Sequence, residues 1–335
     1  MMNKHSNVAI FVPHAGCPHR CSFCDQNAIS GASALPTTAQ VIEACERAIA
    51  TRKGDAAHAQ IAFFGGSFTA IPQEEQERLL TVAYRYVKAG AFAGIRLSTR
   101  PDCVDEKVTA FLRRFGVQTV ELGAQSMDDK VLLLNRRGHT AADVEKAAAC
   151  IHAADMELGL QMMTGLYGDT ADGAKETLRR LCDLSPACLR IYPTQVLPNT
   201  YLATLWQQGA YVPPTLEETV SLCSDLLAYA ECERGIPVIR MGLHADPSLQ
   251  EKRLAGPYHP AFRELCESEL YYRRAVAVLW DAPADILYVN PTALSKMIGQ
   301  RRQNLDRLAK IGHNVDIKTD PAVPPFAVWR EIDRK

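Results

Sequence analysis

Residues 8–24 read VAIFVPHAGCPHRCSFC, an apolar run followed at once by three closely spaced cysteines. The apolar run predicts a first strand, Val8–Pro13. Cys17, Cys21 and Cys24 follow it with the spacing Cys-x3-Cys-x2-Cys. Three thiolates this close together can ligate three irons of one four-iron cluster and leave the fourth iron open. The segment therefore predicts a [4Fe-4S] cluster at the end of a strand.

An open iron needs a ligand from outside the protein, and the amino and carboxylate groups of S-adenosylmethionine (SAM) can supply it. Two other interpretations compete: a zinc site completed by His14 or His19, or cysteines that bind no metal. Zinc sites of this kind usually pair two cysteine knuckles, and no second Cys-x2-Cys occurs in the sequence. That observation favours the cluster.

The sequence contains 11 cysteines, an odd number that does not suit a secreted disulfide framework and fits a reducing cytoplasm. We predict that the eight cysteines outside the motif are small buried apolar side chains. They are Cys45, Cys103, Cys150, Cys182, Cys188, Cys223, Cys232 and Cys266. The chain carries 37 basic and 38 acidic residues, so its overall charge gives no reason to expect nucleic acid, and no apolar run is long enough to span a membrane.

Strand-like apolar runs alternate with amphipathic helical stretches, which is typical of a parallel sheet covered by helices. This alternation predicts an α/β fold, a partial (βα)6 TIM-like barrel left open on one side. The further predicted strands are Gln60–Gly65, Gly94–Thr99, Gln118–Gly123, Glu157–Met163 and Leu189–Thr194. The predicted helices are Thr38–Thr51, Glu74–Ala89, Asp105–Phe115, Asp128–Asn135, Ala141–Ala154 and Gly173–Leu184.

Beyond the sixth unit, a helix is predicted over Leu216–Glu233 and a strand-like run over Val238–Gly242. The predicted domains are the barrel (1–245), a connecting segment that packs on it (246–284), and a small basic α+β unit (285–335). In the C-terminal unit, the pattern of residues Asp285–Ile317 predicts a strand, a helix, a turn, a second helix and a second strand.

Polar and glycine-rich segments follow the predicted strands, and in such a barrel they meet at the C-terminal face. Gly65-Gly66-Ser67 follows the second strand, where paired glycines let a ligand approach the backbone closely. The third is followed by Ser98-Thr99-Arg100 and the fourth by Glu121–Ser126, whose polar groups could hold ribose hydroxyls. Met162–Gly168, after the fifth, offers an apolar edge at Met163 for an adenine.

At these residues the sequence resembles the radical SAM superfamily, and more closely the radical SAM half of the Elongator catalytic subunit family. The resemblance covers roughly residues 7–245, and its most specific string is ELGAQS followed by LNRRGHT. It implies a radical SAM enzyme in which the cluster cleaves SAM reductively to a 5′-deoxyadenosyl radical. That radical would abstract hydrogen from a substrate, and the Elongator likeness makes a tRNA base the first hypothesis.

The resemblance also implies roles for individual residues. Cys17, Cys21 and Cys24 would ligate the cluster, and Phe23 would lie against the adenine. Gly65 and Gly66 would meet the methionine part of SAM through their backbone, beside Ser67. Ser98, Arg100 and Gln125 would line the SAM or substrate side. A one-electron donor such as a ferredoxin or flavodoxin is implied as a partner.

Three features depart from the Elongator pattern. Ser67 stands where the superfamily usually has an acidic residue, and the cysteine spacing is more compact. No Arg/Gln-x-x-Gly-x-Gly/Ala acetyl-CoA loop occurs, so acetyl transfer is not expected. Two alternatives therefore stay open: a radical SAM oxidoreductase acting on a small porphyrin-like metabolite, and a non-catalytic iron–sulfur or RNA-binding protein.

The C-terminal unit resembles a KH-type RNA-binding unit, which clamps phosphates at a Gly-x-x-Gly turn between two helices. Here that turn begins at Gly299, but Arg302 replaces its second glycine. Residues 271–318 hold eight Lys or Arg against four Asp or Glu, so tRNA or another RNA is a possible partner. Arg136, Arg137 and His139 form a second basic cluster near the predicted barrel mouth, where they could hold substrate phosphates, although exposed charges on a loop are usually only solvated. Tyr258 and His259 lie in a Gly-Pro-Tyr-His-Pro loop, which could reach a substrate or be a structural turn with a satisfied histidine.

Overall fold

The computed structural model describes residues 6–12, 21–25, 34–51, 55–243 and 251–334. In this part of the chain seven parallel strands form one sheet in sequential order, β1 to β7. Sequential order with every neighbouring pair parallel is the topology of a curled (βα) half-barrel, as predicted. The strands are β1 Asn7–Val12, β2 Gln60–Gly65, β3 Gly94–Thr99, β4 Val117–Gln125, β5 Glu157–Thr164, β6 Cys188–Pro193 and β7 Val238–Met241.

All six strands predicted for the barrel are confirmed within two residues, as are the six helices between them. The strand-like run predicted at Val238–Gly242 is confirmed as β7, which pairs with β6 and adds a seventh strand to the six predicted for the barrel. The helices of the barrel are α1 Thr38–Thr51, α2 Gln73–Lys88, α3 Glu106–Arg114, α4 Asp129–Leu134, α5 Ala141–Ala153, α6 Ala171–Asp183, α7 Tyr201–Gln207 and α8 Leu216–Leu227. A π-helical segment, Ala228–Glu233, continues α8.

Several helices begin where the sequence supplies a side chain that accepts the unpaired N–H groups of the first turn. Asp105 caps α3, and Thr140 caps α5 in a reciprocal capping box with Asp143. The sheet surface that faces these helices is apolar and fully buried, because alternate residues of each strand point to it. Ile61, Leu97 and Leu122 belong to this core. The other surface of the sheet lines the inside of the half-barrel.

The predicted connecting segment contains a helix that the sequence analysis did not predict, α9, which runs from Phe262 to Asp281. Its first half packs into the barrel core through Phe262 and Cys266. Its second half packs into a separate small core through Tyr271, Ala275 and Leu279. One helix therefore takes part in both cores. The division of the chain into domains stays a prediction.

The C-terminal unit has the predicted order of strand, helix, turn, helix and strand. Its strands β8 and β9 are parallel, and a short third strand, β10, runs antiparallel to β8. The elements are β8 Ile286–Val289, α10 Leu294–Ile298, α11 Gln303–Lys310, β9 Asp316–Thr319 and β10 Trp329–Arg330. In the described part of the chain, no helix is both long and apolar enough to cross a membrane.

The scattered cysteines mostly behave as predicted. Five are buried, namely Cys45, Cys182, Cys188, Cys223 and Cys266. Burial raises the pKa of Cys45 to about 12, which keeps its thiol protonated and unreactive. The prediction is wrong for Cys232, which is exposed, and Cys103 and Cys150 are half-buried.

Candidate functional site

The cysteine segment lies at the C-terminal rim of the half-barrel. Cys21 is buried and Cys24 is half-buried, and the two lie on one tight turn in which the Cys24 N–H donates to the Cys21 carbonyl at 3.2 Å. Cys17, together with His14 and His19 of the zinc alternative, lies outside the described residues. The three-thiolate site therefore stays a prediction in which the structure places two members.

Asn135, at the end of α4, fixes this turn from the side. Asn135 is fully buried. Its side-chain Oδ1 accepts a hydrogen bond from the Ser22 hydroxyl at 2.7 Å, and its backbone carbonyl accepts the Ser22 N–H at 3.0 Å. The Asn135 amide donates in turn to the carbonyls of Val131 and Tyr167, at 2.8 and 2.9 Å. The cysteine turn is thereby bound to the loops that follow β4 and β5.

Arg137 contacts the cysteine sulfur directly. Its Nη1 donates to Cys21 Sγ at 3.1 Å, and its Nη2 donates to the Gly123 carbonyl at 2.5 Å. A guanidinium in this position stabilises negative charge on sulfur. The interpretation of the Arg-Arg-Gly-His cluster as solvated is therefore wrong for Arg137 and His139, which are buried. It holds for Arg136, which is exposed and lies 3.5 Å from the centre of the Tyr201 ring.

Arg100, predicted to line the SAM or substrate side, is buried behind Arg137. Its Nε and Nη2 each donate to a carboxylate oxygen of Asp102 at 2.9 Å, and its Nη2 also donates to the Arg137 carbonyl at 2.5 Å. Its Nη1 is buried and has no hydrogen-bond partner in the described structure. Arg100 thus fixes the backbone of Arg137 through one hydrogen bond, and its Nη1 has no acceptor among the described residues.

His139 is held neutral beside these two cations. Its Nε2 lies 3.1 Å from the Ala124 carbonyl. Burial, and then the charges of Arg137 and Arg100, lower the pKa of His139 from 6.5 to about 4. A neutral imidazole avoids a third positive charge at this rim.

This shift predicts a pH dependence of stability. The unfolded chain binds a proton at His139 near pH 6.5 and the folded chain only near pH 4, so the contribution is complete above pH 6.5 and is lost as the pH falls to 4. The expected loss is about 3 kcal/mol of unfolding free energy, and urea unfolding at several pH values measures it. His139→Gln should flatten this slope between pH 4 and 6.5. An unaltered slope in the His139 variant would contradict the assignment.

The two glycines after β2 lie against the end of β1, where the cysteine segment begins. Gly65 is in register with Val12, and the Gly66 N–H donates to the Val12 carbonyl at 2.6 Å. Gly65 has φ +108°, and a Cβ added to it would lie 2.9 Å from the Val12 oxygen. Only glycine fits there. Ser67 is buried directly beyond.

Gly65→Ala should therefore be strongly destabilising, by about 3 kcal/mol, because strained backbone and a backbone clash add together. Gly209→Ala is the matched control, since Gly209 also has positive φ (+71°) but nothing lies within 4 Å of an added Cβ. That variant should lose only about 1 kcal/mol. Denaturant unfolding measures both values, and equal losses would show that contact with Val12 is unimportant.

The remaining predicted site residues lie on the inner surface of the half-barrel or near its rim. Gln125 adopts φ 68° at a bulge in β4 and accepts a hydrogen bond from Gln161 at 3.3 Å. Ser98 and Met163 are half-buried on the inward sides of β3 and β5. Phe23, half-buried, packs on a small cluster that includes residues of α7. Their contacts with SAM stay predictions.

Deeper inside the barrel lies a charged cluster that sequence reasoning did not predict. Glu121 is buried between two guanidinium groups, with Arg96 Nη1 at 2.7 Å from its Oε1 and Arg190 Nε at 2.6 Å from its Oε2. Arg96 also donates to Gln60 at 2.7 Å, and Arg190 lies 4.9 Å from the Phe64 ring centre. Glu121 was expected to help hold ribose hydroxyls, but both of its carboxylate oxygens are paired with arginine side chains.

The structure brings Cys21, Arg137, Gly123 and Arg100 together at the rim, with Gly65 and Gly66 beside the end of β1. It does not bring Arg136 into this group. Sequence reasoning missed Asn135 as the residue that fixes the cysteine turn. The available signal was the position of Asn-Arg-Arg-Gly-His directly after a short helix at the rim, because polar residues there have the cysteine segment as a neighbour.

These residues fit an iron–sulfur cluster. Two thiols share one turn, a guanidinium donates to one of them, and the backbone of Gly65 and Gly66, which carries no side chain of its own, borders the same edge. Hydrogen bonds to sulfur and nearby positive charge are the means by which proteins hold such clusters and set their reduction potential.

A family model of the radical SAM superfamily matches residues 11–181, and a model of a radical SAM C-terminal domain matches residues 186–272. A tRNA uridine(34) acetyltransferase of Methanocaldococcus infernus is 30% identical over 131 residues, 38% of this chain and 24% of that protein. A heme chaperone HemW of Synechocystis is 26% identical over 218 residues, 63% of this chain and 53% of that protein.

Among solved structures, the archaeal Elp3 of M. infernus superposes with a TM-score of 0.64 at 19% identity, over 82% of this chain and 64% of that one. This likeness concerns the fold. The chain spans about a quarter of the acetyltransferase and about half of the heme chaperone that it matches.

Proposed function

The chain belongs to the radical SAM superfamily, and from this premise we propose that it is a radical SAM enzyme whose substrate is a base of tRNA. Membership makes it an enzyme with a [4Fe-4S] cluster and SAM as cofactors, which removes the zinc and non-catalytic alternatives. When bound, cluster and SAM supply a one-electron reductive cleavage and a 5′-deoxyadenosyl radical that abstracts hydrogen.

Cys17, Cys21 and Cys24 would hold the cluster. Asn135 fixes the turn that carries two of them, so the thiols are oriented before any ligand binds. Gly65 and Gly66 hold the end of β1 close to this edge, because the Gly66 N–H donates to the Val12 carbonyl at 2.6 Å and Gly65 has no Cβ to collide with that carbonyl. The buried walls around Arg100 and His139 keep water away from this edge.

The observation that carries the tRNA proposal is the contact between the cysteine turn and the LNRRGHT segment. That segment gives the chain its specific likeness to the Elongator family, and in the structure its Asn135 and Arg137 hold Ser22 and Cys21. The inside of the half-barrel also presents the half-buried amide of Gln161 on β5, a group suited to a planar base. The similarity to a tRNA uridine(34) acetyltransferase supports the same substrate class.

A porphyrin-like metabolite is the second candidate, favoured by the similarity to a heme chaperone over more than half of the chain. One experiment separates the two. Anaerobically reconstituted protein is reduced with dithionite in the presence of SAM, with bulk tRNA, with a porphyrinogen, or with neither, and 5′-deoxyadenosine is measured. We expect tRNA to raise the yield and to contain a nucleoside of altered mass after digestion. Stimulation by the porphyrinogen alone would overturn the tRNA assignment.

We further propose a reducing, cytoplasmic setting and a ferredoxin or flavodoxin as electron donor. One-electron reductive cleavage of SAM requires a low-potential donor, and the free thiols in the described part of the chain suit a reducing compartment.

Arg137→Gln tests how the rim supports the cluster. Loss of the positive charge and of the donor to Cys21 Sγ should lower the reduction potential and reduce SAM cleavage about 10- to 100-fold, the usual cost of losing a residue that supports a metal ligand. Spectroelectrochemistry and 5′-deoxyadenosine formation are the measurements. Arg136→Gln, which removes the same charge one residue away but not the sulfur contact, should leave the potential close to wild type. Equal potentials in wild type and Arg137→Gln would contradict the role.

A further inference from the structure

A polar cavity of about 630 Å³ lies between the C-terminal unit and the loop before α9, and none of its lining residues belongs to the cysteine turn. One face of α11 forms its long wall, because residues spaced three and four apart share a side of a helix. Its lining residues are His259, Gln300, Arg301, Gln303, Asp306, Arg307 and Lys310.

Three cations and one carboxylate line this cavity, and two of the cations have no ion pair with any described residue. Arg301 and Lys310 line it, and Arg302 lies directly beside it. All three side chains are exposed, and none forms an ion pair with any residue that the structure describes. Arg307, by contrast, is held by Glu269 at 2.6 Å. Asp306 is the only acidic residue among the lining residues.

The turn at the top of the cavity has an unusual backbone. After Gly299 (φ +76°), Arg301 and Arg302 both adopt left-handed conformations, with φ 51° and 65°. Asn304 fixes the turn to the structure behind it by donating to the Ser268 carbonyl at 2.9 Å and the Met297 carbonyl at 3.1 Å. Arg302 therefore takes the backbone conformation that the second glycine of a Gly-x-x-Gly turn would favour. Arg302, which stands in place of the second glycine of the KH-type turn, therefore keeps the left-handed backbone and adds a positive charge.

The opposite wall comes from the barrel side. His259 Nδ1 accepts the Ala261 N–H at 3.1 Å, so in the neutral ring Nε2 carries the proton and can donate. Its loop is bound to the end of β6, since Gln195 donates to the Pro257 carbonyl at 2.5 Å. The cavity is thus connected to the rim where the cysteine turn lies.

We propose that this cavity binds the sugar–phosphate backbone of single-stranded RNA. Two unpaired cations, a histidine donor and side-chain amides match phosphate and ribose oxygens, and the strand–helix–helix–strand order is that of units that clamp an RNA backbone at such a turn. The inference rests on the proposed function only in its choice of RNA as the polyanion.

The test is binding of a fluorescein-labelled 12-nucleotide single-stranded RNA to the reconstituted full chain, followed by anisotropy over a series of salt concentrations. Arg301→Gln/Lys310→Gln should weaken binding about ten-fold and flatten the salt dependence by about 1.4 units of slope, since two single-strand phosphate contacts at about 0.7 units each are lost. Lys88→Gln/Lys107→Gln removes the same charge from exposed positions on α2 and α3 and should change affinity less than about two-fold. Thermal unfolding confirms that both double variants are folded.

Equal weakening in the two double variants would overturn the site, as would no RNA binding by the wild type at low salt. Displacement of the RNA by polyglutamate at the same charge concentration would overturn the RNA assignment. Failure of the proposed function has another signature, because tRNA nucleosides would then stay unmodified while the RNA affinity still depended on Arg301 and Lys310.

Discussion

Cys24→Ala is expected to abolish cluster assembly and, with it, SAM cleavage. The thiol would be one of three ligands, and no spare thiolate lies on the described turn to replace it. Since removal of a supporting residue alone costs about 10- to 100-fold, loss of a ligand should exceed a hundred-fold. The turn itself should survive, because its hydrogen bond runs from the Cys24 backbone to the Cys21 carbonyl. Iron and sulfide content, visible absorption and 5′-deoxyadenosine formation measure the effect.

Cys150→Ala is the matched control. Cys150 is also half-buried and free, but it lies on α5, away from the rim. That variant should assemble and cleave SAM as the wild type does. A Cys24→Ala protein that retained four irons and cleaved SAM would show that the cluster is held elsewhere.

Glu121→Gln should cost about 3–5 kcal/mol of unfolding free energy, enough to leave the chain marginally stable. The carboxylate lies between Arg96 and Arg190, whose side chains are 0% and 14% exposed. A neutral amide of the same shape leaves two buried guanidinium groups facing each other with no counter-charge. Denaturant unfolding at neutral pH measures the loss.

Arg96→Met distinguishes lost charge balance from lost packing. It leaves Glu121 paired with Arg190 and keeps an unbranched side chain in the space, so we expect less than half the cost of Glu121→Gln. The reverse order would mean that packing and hydrogen bonding to Gln60 outweigh the charge balance.

The sequence predicts the barrel well because each strand has one wall of apolar residues and is followed by an amphipathic helix. Helix α9 escaped prediction for the opposite reason. Phe262 and Cys266 face one core and Tyr271 and Leu279 another, so no single apolar stripe runs along it. The short α7 offered too few residues for a pattern to emerge.

The position of the candidate site was predictable because loops after parallel strands share one face of the sheet. Its internal contacts were not predictable. Charged residues after a helix are usually solvated, and only the folded chain shows that Arg137 is buried against Cys21. The pairing of Arg96, Glu121 and Arg190 depends on three strands coming into lateral alignment, which no local pattern encodes.

The 20-residue helix Phe262–Asp281 should make the thermal unfolding of the two sheets cooperative. The two halves of the helix are buried in different cores. If one sheet unfolds, the helix loses its packing there, and the other core loses part of its buried surface. Heating should accordingly give one calorimetric transition. A chain that ends at residue 284 would lack the C-terminal unit, so the side chains of Tyr271, Ala275 and Leu279 would be exposed to water. Such a fragment should aggregate even if its barrel stays folded.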